Sequence, residues 1–302
     1  MTDLPSTSPR ASTAVGALCV SASAVLISVS ATSPGTASFW RTVLALPALF
    51  ALAAVERRRD GPERPARLVA WSAGALFAGD MLLWTQAISE IGAGMSTVLV
   101  NVQVVLVPLL ALLIDGEHPT WRYTSALPVL AAGVVLTAGV VDGGGSAPAP
   151  VAGAVHAVLA AVCYSGFLYL LRRGGGAGAP LRSYADVTVS AVVFSLLVGA
   201  VWHGVDLTPG WPAFGWLALV ALTGQVLGWL LVALASPHLP GQTAAVLLLL
   251  TPVGAVVLGA VVLGERPTPL QAAGCALVLA GAYWASTGRR VPVGSARPPG
   301  RG

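Results

Sequence analysis

The sequence predicts an all-α, polytopic membrane protein with ten transmembrane helices set as two inverted five-helix repeats. Three observations predict it. The composition is too apolar for water, ten apolar windows carry arginine-rich flanks on alternate sides, and several segments match one another near a single internal offset.

Of the 302 residues, 56% are hydrophobic and 9% charged, with a mean hydropathy of +0.81. A soluble domain carries about 25% charged residues, because its surface must be wetted. Sixteen arginines and twelve acids cannot cover a chain of this size, so its outer solvent is lipid. The net charge of +4 does not mark a nucleic-acid binder, since the arginines lie in short flanking clusters rather than along one face. Cys19, Cys163 and Cys275 fall inside apolar stretches without C-x-x-C spacing and read as small core residues. No metal and no cofactor is expected.

A spanning helix needs about 20 largely apolar residues. Ten windows qualify, near 13–33, 36–55, 68–89, 93–114, 122–141, 151–171, 183–202, 212–234, 241–263 and 269–287. Cytoplasmic segments are enriched in Lys and Arg. With the N-terminus inside, the inner segments hold Arg10, Arg57, Arg58, Arg59, Arg64, Arg67, Arg122, Arg172, Arg173, Arg182, Arg289, Arg290, Arg297 and Arg301. Only Arg266 then lies outside, and Arg41 sits within the membrane. The alternation requires an even number of spans and places both termini in the cytoplasm of a multi-pass cell-membrane protein.

The internal repeat follows from three matches. Gly116-Glu117-His118-Pro119-Thr120 and Gly264-Glu265-Arg266-Pro267-Thr268 are 148 residues apart. Asp80 and Trp84 correspond to Gln225 and Trp229 at 145, and Thr42, Val43 and Ala45 to Thr188, Val189 and Ala191 at 146. The expected organisation is a disordered tail (1–12), a first repeat (13–141), a linker (142–150), a second repeat (151–287) and a disordered tail (288–302). An odd number of spans per repeat forces the two halves to enter the membrane oppositely, the pattern of secondary transporters.

On the ten-span layout, Phe39-Trp40-Arg41 opening span two, and the two Gly-Glu-x-Pro-Thr turns, the chain resembles the drug/metabolite transporter superfamily, EamA type, with two tandem EamA domains. The resemblance implies a secondary transporter, often an exporter, of a small metabolite such as an amino acid or of a drug-like compound. It implies no enzymatic activity.

Ionisable groups inside a bilayer are costly unless paired or hydrated, which makes them functional candidates. Arg41 either receives a substrate carboxylate, pairs with an acid, or snorkels to the outer headgroups. Asp80 is the one acid well inside an apolar span; it is a candidate for proton coupling or an internal partner for Arg41. Asp80 with Trp84, and Gln225 with Trp229, each place a hydrogen-bonding group one turn from an aromatic plate. Asn101 and Gln103 lie mid-span in helix four, with Leu249 and Thr251 as counterparts. Two residues apart, Asn101 and Gln103 point about 200° apart, so an unbroken helix cannot aim both at one cavity. Pro108 and Pro252 are candidate hinges in corresponding spans. His156, Tyr164 and Tyr169 are weaker candidates, while Glu117 and Glu265 are expected to cap turns or to bind nearby backbone groups. Gly133, Gly254, Gly259, Ala131 and Ala132 read as close-packing positions.

The expected partners are a small-molecule substrate, the lipid bilayer and protons as a coupling ion. An intramembrane enzyme is disfavoured, since no H-E-x-x-H motif occurs and the four histidines are dispersed. A channel or a non-transporting scaffold is the competing class.

Overall fold

The computed structural model describes residues 8–60, 67–116, 121–139, 148–174, 180–235, 239 and 247–286. Among the described residues all regular structure is helical. The order is α1 (Pro9–Ser30), α2 (Pro34–Asp60), α3 (Arg67–Ile91), α4 (Ala93–Val100), α5 (Gln103–Asp115), α6 (Trp121–Thr137), α7 (Pro150–Gly174), α8 (Pro180–Trp202), α9 (Trp211–Val220), a π-helical segment (Ala221–Gly228), α10 (Trp229–Ala235), α11 (Leu250–Leu258), a second π segment (Gly259–Leu263) and α12 (Pro269–Ser286).

The chain chemistry explains where these helices start and stop. Ser8 accepts a hydrogen bond from the Ala11 amide at 3.3 Å, and Pro9 supplies a pre-set φ at the first helical position. Residues 9–12, expected in a disordered tail, are therefore helical. Gly116 and Gly264 both adopt left-handed backbone, with φ of 69° and 67°, and close their helices. The first glycine of each repeated turn thus does one job in both halves. Glu117 and the tail at 288–302 lie outside the described residues, as do most of the 142–150 linker and of the glycine run 174–180.

Ten full-length spans were expected, and among the described residues seven stretches are long and apolar enough to cross a membrane, counting α4–α5 and α9–α10 as one each. The windows at 121–137, 250–263 and 269–286 hold shorter helices. The 17 residues of α6 cover about 26 Å, less than the roughly 30 Å hydrocarbon core.

Two pairs of corresponding helices, α2 with α8 and α6 with α12, pack antiparallel. Glu56, near the end of α2, accepts from the Leu181 and Arg182 amides at the start of α8, while Gly35 at the start of α2 meets Gly199 near the end of α8. Likewise Trp284, late in α12, donates to Ser125, early in α6, and Gly274 abuts Thr137. Two further contacts mirror each other: α3 runs along α7, with Phe77 stacked on Phe167 at 4.7 Å, and α1 runs along the α9–α10 helix, with Gly16 against Gly228.

Glycines make these approaches possible. Association of helices in lipid depends on close van der Waals fit, because lipid tails are as apolar as Leu. Gly133 and Gly254 sit at such contacts, against α12 and α1 respectively, whereas Ala131 and Ala132 are exposed on α6. A Cβ at Gly274 would stand 2.5 Å from the Thr137 amide and 2.8 Å from the Gly133 carbonyl, both backbone atoms that cannot step aside. Gly274→Ala should therefore lower stability by about 1–3 kcal/mol, read as a drop in Tm of the detergent-purified protein. Gly215→Ala in α9, with nothing within 4 Å of the new methyl, should leave Tm unchanged or raise it.

Candidate functional site

The centre of the bundle holds a cavity of about 360 Å³, within the range of small-molecule sites. Its walls come from both halves of the chain: Val20 and Ser23 (α1), Arg41 (α2), Asp80 and Trp84 (α3), Thr97, Asn101, Gln103 and Val104 (around the α4–α5 junction), Tyr164 (α7), Trp229 (α10) and Thr251 (α11).

Arg41 is buried, with 3% of its surface exposed, so it does not snorkel to the headgroups. Its Nη2 donates to Gln225 Oε1 at 2.9 Å, and its guanidinium lies 5.6 Å from the centre of the Trp84 ring. Gln225 in turn donates to the Tyr184 hydroxyl at 2.8 Å. The cation is thus held by a neutral amide and an aromatic face rather than by a carboxylate. Among the described residues its Nε and Nη1 have no hydrogen-bond partner, nor do Trp84 Nε1, Ser23 Oγ and Gln103 Oε1.

Asp80, 2% exposed, lines the same cavity, and among the described residues no ion pair joins it to Arg41. The site therefore presents a cation with unused donors and a carboxyl group held apart from it.

Asn101 and Gln103 both reach the cavity because the helix is broken between them. The amides of Asn101, Val102, Val104 and Val105 bond three residues back, to Val98, Leu99, Asn101 and Val102. This tight turn offsets the roughly 200° separation that an unbroken helix imposes. The matching break falls at Leu249, 148 residues on, where φ and ψ are −66° and −13° against −64° and −11° at Asn101. Pro108 and Pro252 lie beyond these breaks and do not line the cavity. Having no N–H, they withhold a donor from the carbonyls of Val104 and Leu248, and both of those residues do line it.

Of the residues singled out in the sequence, Arg41, Asp80, Trp84, Asn101, Gln103, Trp229 and Thr251 meet around one space. Gln225 stands behind Arg41, fully buried and off the cavity wall. Tyr164 lines the cavity beside Trp229, ring centroids 6.1 Å apart. His156 bonds Glu90 at 2.6 Å and Tyr169 bonds Asp115 at 2.8 Å, both away from the cavity. Sequence reasoning missed Ser23, Thr97 and Tyr184. Tyr184 sits at the edge of its apolar window, where a tyrosine reads as an interfacial anchor, and only tertiary structure turns it toward Gln225.

The profile of the EamA-like transporter family matches the chain twice, over residues 11–139 and 151–287. The chain belongs to the EamA-like transporter family. It is a multi-pass membrane transporter of the drug/metabolite transporter superfamily. A relative from Streptantibioticus cattleyicolor, named "Probable terminal-alkyne amino-acid exporter", is 33% identical over 126 residues, 41% of each chain. The match thus spans about two fifths of that relative. A solved structure, a crystal structure of a protein at 19% identity, superposes with a TM-score of 0.60 over 92% of this chain and 96% of that one. This likeness concerns the fold.

In this EamA-family protein the Arg41–Gln225–Tyr184 chain couples the two halves. Gln225→Leu should lower stability by about 1.5–3 kcal/mol, since a buried cation loses its acceptor. Tyr184→Phe, which removes one neutral hydrogen bond, should cost about 1 kcal/mol. Thermal unfolding in detergent reads both, and equal effects would contradict this ranking.

Proposed function

We propose that this EamA-family transporter exports a small amino-acid-like metabolite by alternating access, in exchange for protons. The observation that carries the reading is the pairing of Arg41, with two unused donors, and Asp80, unpaired, across one apolar and aromatic cavity. Opposite charges held apart complement a zwitterion: the carboxylate goes to Arg41 and the ammonium to Asp80. An apolar tail fits among Trp84, Trp229 and Tyr164. Burying each charge is costly until the ligand supplies its counter-charge. The name of the S. cattleyicolor relative agrees with this class.

The mechanism requires ten spans in two inverted repeats, 13–141 and 151–287, with both termini cytoplasmic. The antiparallel packing of α2 on α8 and of α6 on α12 supports the inversion, because spans related by an in-plane axis run in opposite directions. The tight turns at Asn101 and Leu249 support a site at the repeat interface. Asp80 is the group that accepts the coupling proton once the ammonium leaves.

A thermal-shift screen followed by counterflow in proteoliposomes tests the reading. Free amino acids with apolar side chains should raise Tm and show trans-stimulation, while their methyl esters and N-acetyl derivatives should do neither. Arg41→Gln should weaken binding by about 10- to 100-fold, the loss of a charge-assisted contact. Asp80→Asn should abolish pH-gradient-driven transport; intact coupling in this variant would remove Asp80 from the proton path.

Tags inserted near Pro119 and near Pro267 test the inversion. They should be reached from opposite sides of the membrane, and labelling of both from one side would rule it out.

A further inference from the structure

Glu265 follows Gly264, the glycine that ends the second π segment, and is half-buried. Its carboxylate does not cap its own turn. It crosses to the other half of the chain and accepts hydrogen bonds from the first two amides of α4, Ala93 N at 2.5 Å and Gly94 N at 3.0 Å. A helix N-terminus presents unsatisfied N–H groups and a partial positive charge, so a carboxylate is its natural partner.

The socket is built around that carboxylate. A Cβ on Gly92 would stand 2.7 Å from Glu265 Oε1; on Gly94, 3.1 Å from Oε2; on Gly259, 2.4 Å from Oε2. Gly92 also holds φ at +90°, which a side chain disfavours. Three glycines from two halves thus leave room for one carboxylate.

The contact lies at the α3–α4 end of the bundle. Cavity-lining residues begin at Thr97 on α4 and Trp84 on α3, one to two turns in from Glu265's end. Farther along the bundle they include Val232 on α10 and Leu248, just before α11.

We propose that Glu265 is the latch of one gate: seated on the N-terminus of α4, it holds the two halves together between the cavity and that end of the bundle. Withdrawal of the carboxylate frees α4 to move from α11 and opens the cavity at the Glu265 end. The inference builds on the alternating-access reading, and its test needs no substrate.

The test uses the full chain with Cys19, Cys163 and Cys275 replaced by alanine and Met81→Cys as a cavity reporter. A membrane-impermeant maleimide is applied to intact cells and to inverted vesicles, with a tag near Pro267 identifying the Glu265 side. Glu265→Ala should raise labelling from the Glu265 side about tenfold or more, as expected when two charge-assisted hydrogen bonds no longer favour one state. Labelling from the other side should fall. Gly259→Ala keeps the charge and blocks the socket, and should do the same; Glu265→Gln, which keeps one acceptor oxygen, should be intermediate. Unchanged labelling in both alanine variants, or an equal rise from both sides, would overturn the latch. If labelling shifts as expected in a protein that shows no counterflow with any amino acid, the latch stands and the substrate reading fails. Counterflow with unchanged labelling means the reverse.

Discussion

A guanidinium buried between two sets of helices in lipid dictates much of what surrounds it. Arg41 cannot stay there without an acceptor, and no carboxylate of the described residues lies in ion-pair range. The acceptor is an amide from the other half of the chain, so Gln225 has to be turned inward, buried and oriented. It sits within the π segment Ala221–Gly228, and π-helical turns recur at functional positions. The Tyr184 hydroxyl occupies the amide's nitrogen, which leaves its oxygen for Arg41. Gly224 beside it lets α1 approach closely enough for Ser23 to join the wall.

The same constraint accounts for the irregular backbone. Non-helical backbone at membrane depth survives only where protein or a cavity satisfies it. The tight turns at Asn101 and Leu249 sit at the cavity wall, as do the carbonyl-bearing residues Val104 and Leu248 from which the prolines withhold a donor. Elsewhere, where no cavity intervenes, glycine and alanine bring the helices together: Ala73, Ala160 and Ala191 are fully enclosed in the main core cluster.

The helices were legible in the sequence because apolar windows and capping residues are local. Gly116 and Gly264 mark their helix ends in the sequence, and both are left-handed in the structure. The polar lining was legible because an ionisable or amide group in an apolar window stands out; Arg41, Asp80 and Asn101 needed no coordinates to be noticed. What could not be read is which of several partners each group takes. Arg41 had Asp80 and the headgroups as candidates and binds Gln225 instead, a residue 184 positions away. The break that lets Asn101 and Gln103 share a cavity was equally hidden, since local sequence suggested the prolines as the irregular points. Glu265 was expected to cap its turn or bind nearby backbone groups; the amides it binds belong to α4, because the fold sets the N-terminus of α4 within its reach.

The two halves match in backbone and differ in charge. Asn101 and Leu249 hold nearly the same φ and ψ, and Trp84 and Trp229 both face the cavity. Yet the cavity's guanidinium and carboxyl groups, Arg41 and Asp80, both belong to the first half, and their counterparts at the repeat offsets are Val187 and Gln225. A symmetric exchange of backbone conformations therefore acts on an electrostatically one-sided site. On the proposed alternating-access reading, a ligand held by those charges stays with α2 and α3, and the second half faces it with neutral groups: Trp229, Thr251 and Leu249. In that proposal repetition supplies the motion, and the departure from repetition sets which way round the ligand sits.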